Sequence, residues 1–237
     1  MDVGGSKGLP TLHHLLPMKT VRIYGSAKNV REAPVRGPDE QDIEVWLSNS
    51  PTTVSLRCPR ALNEWTRWFN LHSRQHIVGT YPAGFHYYCT KAEGRPIYFQ
   101  KAQPEIPSSA AFPYEKIQAT FATAVGPNQY FTCTVCWLIA FAILEGFERI
   151  ELWGFELRDT KPGSKFEYER PCFAYWVQVA KERGCDVFYQ AAIARLYAEG
   201  KMLPGDPLLY EGKLYGYETK SEPDWDFERR RFAHKNS

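Results

Sequence analysis

Arg149-Ile150-Glu151-Leu152-Trp153-Gly154 is the stretch on which the fold turns. Its apolar positions and bulky side chains suit a buried strand, and a glycine ends it. A helical pattern precedes it: Thr132 is placed to cap a helix through Cys133, Cys136, Trp137, Ile139, Ala140, Ile143 and Leu144, which Gly146 stops. Another follows, from about Glu169 to Arg183, with Cys172, Tyr175, Trp176 and Val179 at inward spacing and Gly184 at its end. Cys185-Asp186-Val187-Phe188-Tyr189 then reads as a further strand. Helix, strand, helix, strand at these lengths predicts parallel βαβ crossovers and a sheet covered on both faces. The expected class is α/β, a Rossmann-like single domain with a mostly parallel sheet.

Working outward, Val21-Arg22-Ile23-Tyr24 alternates like a short strand and runs into Gly25-Ser26-Ala27-Lys28-Asn29. Ile43 to Leu47 reads as a second strand, ending at Ser48-Asn49-Ser50-Pro51, and a short helix is expected from Pro59. Arg67 to Leu71 gives a third strand, closed by His72-Ser73. Pro96 to Gln100 gives a fourth, followed by a proline-rich loop from Pro104 to Pro113. Residues 1–19 lack periodicity and read as a flexible lead, 20–218 as the domain, and 219–237 as a charged, solvated tail that includes Arg229, Arg230 and Arg231. No internal repeat or low-complexity tract is present.

Composition bounds the function. The 237 residues are 43% hydrophobic and 24% charged, ordinary for a globular chain with a sizeable core. The aromatic share of 15% is high, and rings of this kind either fill a core or line a cleft. A net charge of +2 does not announce a nucleic-acid binder by bulk electrostatics. The longest apolar run, Val135 to Leu144, has the length of a buried helix, so no membrane span is expected. No signal-peptide pattern opens the chain, and its six irregularly spaced cysteines read as free thiols, which points to the cytoplasm.

In open parallel sheets ligands bind beyond the carboxyl ends of the strands. Those ends here carry Gly25 and Ser26, Ser48 and Asn49, His72 and Ser73, Gln100 and Lys101, and Gly154 to Glu156. Small and amide-bearing residues in such turns suit close approach to phosphate and ribose. GxGxxG is absent and the second strand ends in Asn49 rather than an acid, which argues against a dinucleotide site. GxxxxGK[ST] is absent as well.

The CxxC Cys133-Thr134-Val135-Cys136 opens an apolar helix and lacks a second ligand pair at usable spacing, so it reads as core packing without metal. Asp224-Trp225-Asp226 has the DxD form of metal-dependent transferases but sits in the charged tail and reads as solvated. The acid/base candidates are His72, His76, His86, Glu156, Asp159 and Glu167. His72 leads them, because it ends a strand on the expected rim and an imidazole titrates near neutrality. Glu156, two residues past a strand end, is placed either to hold sugar or ribose hydroxyls or to cap the loop that follows.

The stretch from Tyr130 to Tyr189 resembles the core of the bacterial sialyltransferases that include the Campylobacter lipooligosaccharide enzymes, and of their relatives, the motility-accessory glycosyltransferases and the archaeal pterin pyrophosphokinase group. The matching positions are Tyr130-Phe131-Thr132-Cys133, Gly146-Phe147-Glu148-Arg149-Ile150-Glu151-Leu152 and Gly154-Phe155-Glu156-Leu157. Ile23-Tyr24-Gly25-Ser26-Ala27-Lys28 stands where those families keep a Gly-Asn-Gly-Pro-Ser phosphate turn, and Ser48-Asn49 where they keep a second polar turn. The phosphate turn is degenerate here, and no histidine follows Gly154 where the sialyltransferases keep their base. Trp68 to His72, Glu167-Tyr168 and Leu214 to Glu218 also look like small proteins common in tailed phages.

The resemblance implies a metal-independent glycosyltransferase using a nucleotide-sugar as donor substrate and no other cofactor. Gly25, Ser26, Asn49, Thr132, Cys133 and Gly154 would hold the nucleotide, Glu156 the ribose or sugar, and His72 or Glu167 would act as base. The phage likeness adds DNA, through a 5-hydroxymethyl pyrimidine, as an acceptor. Nucleotidyl or pyrophosphoryl transfer and a non-enzymatic nucleotide- or DNA-binding module are the alternatives. Nothing in the sequence selects between a monomer and a homo-oligomer.

Overall fold

A computed structural model of the chain describes residues 18–48, 50–80, 82–91, 94–121, 130–158 and 164–206. Its strands are β1 (Thr20–Tyr24), β2 (Glu44–Ser48), β3 (Arg67–Asn70), β4 (Ile97–Phe99), β5 (Ser109–Ala111), β6 (Arg149–Trp153) and β7 (Asp186–Tyr189). The helices are α1 (Pro51–Arg57), α2 (Ala61–Glu64), α3 (Arg74–Thr80), α4 (Pro82–Lys91), α5 (Tyr114–Phe121), α6 (Thr134–Leu144), α7 (Phe166–Glu182) and α8 (Ala191–Ala198). The strands form one sheet in the order β5-β4-β3-β2-β1-β6-β7, and every pair is parallel. This is the expected Rossmann-like α/β architecture. The order reverses beside β1: the chain steps outward through β2 to β5, then returns to lay β6 on the other edge of β1.

Alternation along the strands sends side chains to two cores. Val21, Ile23, Trp46, Phe69, Ile150 and Leu152 face α5, α6, α7 and α8. Tyr24, Val45, Leu47, Trp68 and Ile97 face α1 to α4. Helix α6 is buried from Val135 to Ala142, so it lies inside the first layer and tolerates no polar face. Most of the large rings fill these cores. Trp46 packs against Phe69, Phe141 and Phe147, and Phe131 stacks on Trp137.

Toward β6 and β7 the second face turns ionic. Buried Arg22 on β1 donates from Nε to Glu151 on β6 at 3.0 Å and is held by both carboxylate oxygens of Glu40. Arg149 bridges Glu151 and Asp186, and the Trp153 indole donates to Glu151 at 3.2 Å. Hydrogen bonds from the Arg22 guanidinium, then from the Gly37 N–H, hold the Glu40 carboxyl down at about 2. Desolvation makes such a network weak evidence for stability, but it fixes the register of β1 on β6, because a slip would leave charges buried and unpaired.

Several expectations need correction. The proline-rich loop contains a strand, β5; the short helix expected from Pro59 is α2, and a further helix, α1, precedes it at Pro51–Arg57. Helix α7 begins at Phe166 and contains Pro171. Its buried stripe is Cys172, Phe173, Trp176, Val177 and Ala180, which leaves Tyr175 and Val179 on the flank. The N-cap of α6 is Cys133, not Thr132. The tail at 219–237, the DxD sequence at 224–226, Leu214 to Glu218, Asp159, Asn49 and nearly all of the lead at 1–19 lie outside the described residues.

At the reversal, Gly25 and Gly154 touch. A Cβ on Gly25 would stand 2.5 Å from the Gly154 carbonyl oxygen and 2.7 Å from the Phe155 ring. A Cβ on Gly154, whose φ is +76°, would stand 2.6 Å from Cβ of Val30. Gly154→Ala therefore adds backbone strain to overpacking and is expected to cost about 2–4 kcal/mol in urea unfolding. Gly37→Ala, whose Cβ meets only Glu40 at 3.8 Å, should stay within about 0.5 kcal/mol. Equal midpoints for the two variants would show that the reversal is not tightly packed.

Candidate functional site

Because all seven strands run the same way, Gly25, His72, Gln100, Gly154 and Gln190 share one rim of the sheet. The reversal of strand order would ordinarily open a crevice there for a nucleotide. In this chain the crevice is closed by main chain. The Gly25 N–H donates to the Trp153 carbonyl at 2.7 Å and the Ala27 N–H to the Gly154 carbonyl at 2.9 Å. The Gly154 N–H is taken by Oε1 of buried Gln190 at 2.6 Å, whose Nε2 donates to the Asn29 carbonyl and the Glu32 carboxylate. The amides of Gly25, Ala27 and Gly154 thus face protein carbonyl and amide groups. The small residues of these turns serve close packing. Ser26 sits between them in the same turn.

Thr132 and Cys133 are buried where the chain enters α6. The Thr132 hydroxyl donates to the Tyr168 carbonyl at 3.3 Å, so it ties that entry to the first turn of α7. Glu156 is half-buried two residues beyond β6, and Glu167 is exposed on the first turn of α7. The carboxylate that α7 turns inward is Glu169, 6% exposed and paired with Lys165 at 3.3 Å. A lysine and glutamate at i, i+4 was the readable signal for that pair.

Among the described residues, an open concavity on the rim lies beyond β3 and β4. A cleft of about 370 Å³ is lined by His72, Arg74, Gln100, Lys101, Gln103 and Glu105. Gln100 donates to the Leu71 carbonyl at 2.8 Å and so ties the ends of the two strands together. Arg74 is clamped by both oxygens of Glu105 and by Gln103, which fixes its guanidinium at the mouth. Lys101 supplies a further positive charge.

The His72 ring stands 4.5 Å from the His76 ring, centroid to centroid. Burial, then the neighbouring His76 and Lys165, push the His72 imidazole down to about 4 from its usual 6.5. At neutral pH His72 is therefore uncharged, with a ring nitrogen able to accept a proton. The positive charge of Lys165, at the entry to α7, contributes least of the three to that lowering.

Among the described residues no group of three or more His, Cys, Asp or Glu is arranged to hold a metal ion, and no helix is long and apolar enough to cross a membrane. Comparison with protein-family models, with curated proteins and with solved structures finds no match.

The depressed His72 pKa has a thermodynamic consequence. Between about pH 6.5 and 4 the unfolded chain takes up a proton at this position and the folded chain does not. Stability is therefore complete above about 6.5 and falls as the pH is lowered toward 4, by about 1–3 kcal/mol after allowance for partial exposure. His72→Gln should flatten urea-unfolding free energies across that window. The Glu40 contribution should persist in the variant and be lost only below about pH 4.5, as its own carboxyl protonates. An unchanged slope between pH 6.5 and 4 would refute the burial of His72.

Proposed function

We propose that the chain is a transferase, specifically a glycosyltransferase that moves a sugar from a nucleotide-sugar to a hydroxyl acceptor, with His72 as the general base. The observation that carries this reading is an uncharged imidazole at the carboxyl end of β3, beside a cleft that also carries Arg74 and Lys101. The cations suit the donor's phosphates, and the imidazole nitrogen suits a hydroxyl that must lose its proton. In the reaction the acceptor oxygen attacks the anomeric carbon while its proton passes to His72. The bond from that carbon to the phosphate oxygen breaks, and the nucleotide departs with the electron pair.

The closed crevice at Gly25 and Gly154 moves the expected donor position toward β3 and β4. Gly25, Gly154 and Thr132 then act as scaffold, and Lys101, Arg74 and Gln100 take the binding role. The phage resemblance supplies one acceptor class to try, a 5-hydroxymethyl pyrimidine in DNA.

The decisive experiment has two stages. A thermal-shift screen against UDP-, CMP-, GDP- and ADP-linked sugars comes first; a ligand at a hundredfold over its Kd adds about 2.7 kcal/mol of stability. His72→Gln is then assayed with the donor found. Loss of a general base should lower turnover by about 10²–10⁴-fold and leave donor affinity within a few-fold. The acid limb of kcat/KM should fall near 4, and that of kcat higher, because bound phosphate favours the imidazolium. Full activity in His72→Gln would remove His72 from the chemistry, and no response to any nucleotide would remove the donor class.

A further inference from the structure

Three sulfurs meet beneath the entry to α6. Cys133 Sγ lies 3.3 Å from Cys136 Sγ, and Cys136 Sγ lies 3.3 Å from Cys172 Sγ on α7. The sequence reading took the CxxC as isolated; packing of α7 on α6 brings a third thiol to it. Cys172 also donates to the Tyr130 carbonyl at 3.1 Å, an oxygen that accepts the Trp176 indole N–H at 2.6 Å as well. All six cysteines of the chain are free thiols.

We propose that Cys133 and Cys136 form an oxidisable dithiol, a modification site at the mouth of α6 that reacts with small disulfides and closes to an intramolecular disulfide. The three sulfurs are not equivalent. Cys136 and Cys172 are fully buried within helices, whereas Cys133 precedes α6 in extended backbone and keeps 8% of its surface exposed. Closing from 3.3 Å to the bond length of about 2.05 Å can be met at Cys133, whose extended backbone lies outside the helix. Joining Cys136 to Cys172 would instead draw two packed helices together. Burial and the neighbouring thiols push the Cys136 thiol well above its usual range, which leaves Cys133 as the attacking sulfur.

The chemistry is thiol–disulfide exchange. The Cys133 thiolate attacks a low-molecular-weight disulfide RSSR, forms Cys133–S–S–R and expels RS⁻. The Cys136 sulfur then attacks Cys133 and expels the second RS⁻. The protein dithiol loses two electrons and two protons, and RSSR is reduced to two RSH. The new bond would staple the residue before α6 to its first turn, next to Thr132 and its link to α7.

The test uses the full chain carrying Cys89→Ser, which removes the half-buried thiol on α4, and 2-hydroxyethyl disulfide as oxidant. Alkylation and mass spectrometry should show loss of two of the five remaining thiols, reversed by dithiothreitol, with Cys133 and Cys136 in the linked peptide. Cys136→Ser in the same background should instead trap one mercaptoethanol on Cys133, and Cys172→Ser should still form the bond. Should a serine variant fail to fold, the peptide map of the parent chain decides alone. Retention of all five thiols when Cys89 of the wild type is modified, or a Cys136–Cys172 bond, would overturn the proposal.

Discussion

Contact between Gly25 and Gly154 constrains the rest of the molecule. Two turns leave adjacent parallel strands at the point where strand order reverses, and they approach until the carbonyl of one residue meets the α-carbon of the other. No side chain fits between them. Once the turns are this close, the Gly25 and Ala27 N–H groups donate to the Trp153 and Gly154 carbonyls, and Gln190 supplies the acceptor for the Gly154 N–H. A buried amide left unpaired would be costly, so closure here is self-consistent. The same closure occupies the amides of a usual phosphate cradle, while a cleft stands open beyond β3 and β4.

That displacement accounts for the electrostatics of the site. At the reversal, polar groups are consumed in main-chain bonds and in the Gln190 clasp. Beyond β3 and β4 they are fixed but outward-facing, with Arg74 clamped by Glu105 and Gln100 anchored on Leu71. His72 stands between these regions, dry enough to lose its charge and close enough to Lys165 to feel the entry of α7. An imidazole so placed is uncharged at neutral pH, and any anion that enters would favour its charged form.

The strands β1, β6 and β7 and the helix α6 were legible because long periodic or continuous apolar segments leave few alternatives. Strand β5 was not: Ser-Ala-Ala between prolines has neither alternation nor bulk, and only pairing with β4 makes it a strand. Helices α3 and α4 hid behind an internal glycine and proline. His72 was legible from its place after a buried strand. The roles of Gly25 and Gly154 were not, since a small residue at a strand end suits a phosphate or a neighbouring backbone equally well. Glu169 was not legible as the inward carboxylate of α7, because the phase of that helix depends on where it begins, and it begins at Phe166. Cys172 joined the CxxC only through the packing of α7 on α6, a contact that no local spacing encodes.

The Arg22–Glu151 bond joins residues 129 positions apart. A ribosome adding about 5–20 residues per second needs on the order of ten seconds to deliver one partner after the other. During that interval β1 can pair with β2 while its second edge, with Val21 and Ile23, waits unpaired in the nascent chain. Exposed apolar edges recruit other strands, and an inward-pointing charge on such an edge is a recognised deterrent. Until Glu151 arrives, Arg22 is that charge: Glu40 can hold the end of its guanidinium, but a strange chain docking on the open edge would have to bury the Nε–H without the β6 carboxylate that accepts it. The residue that later locks the register first guards the place reserved for β6.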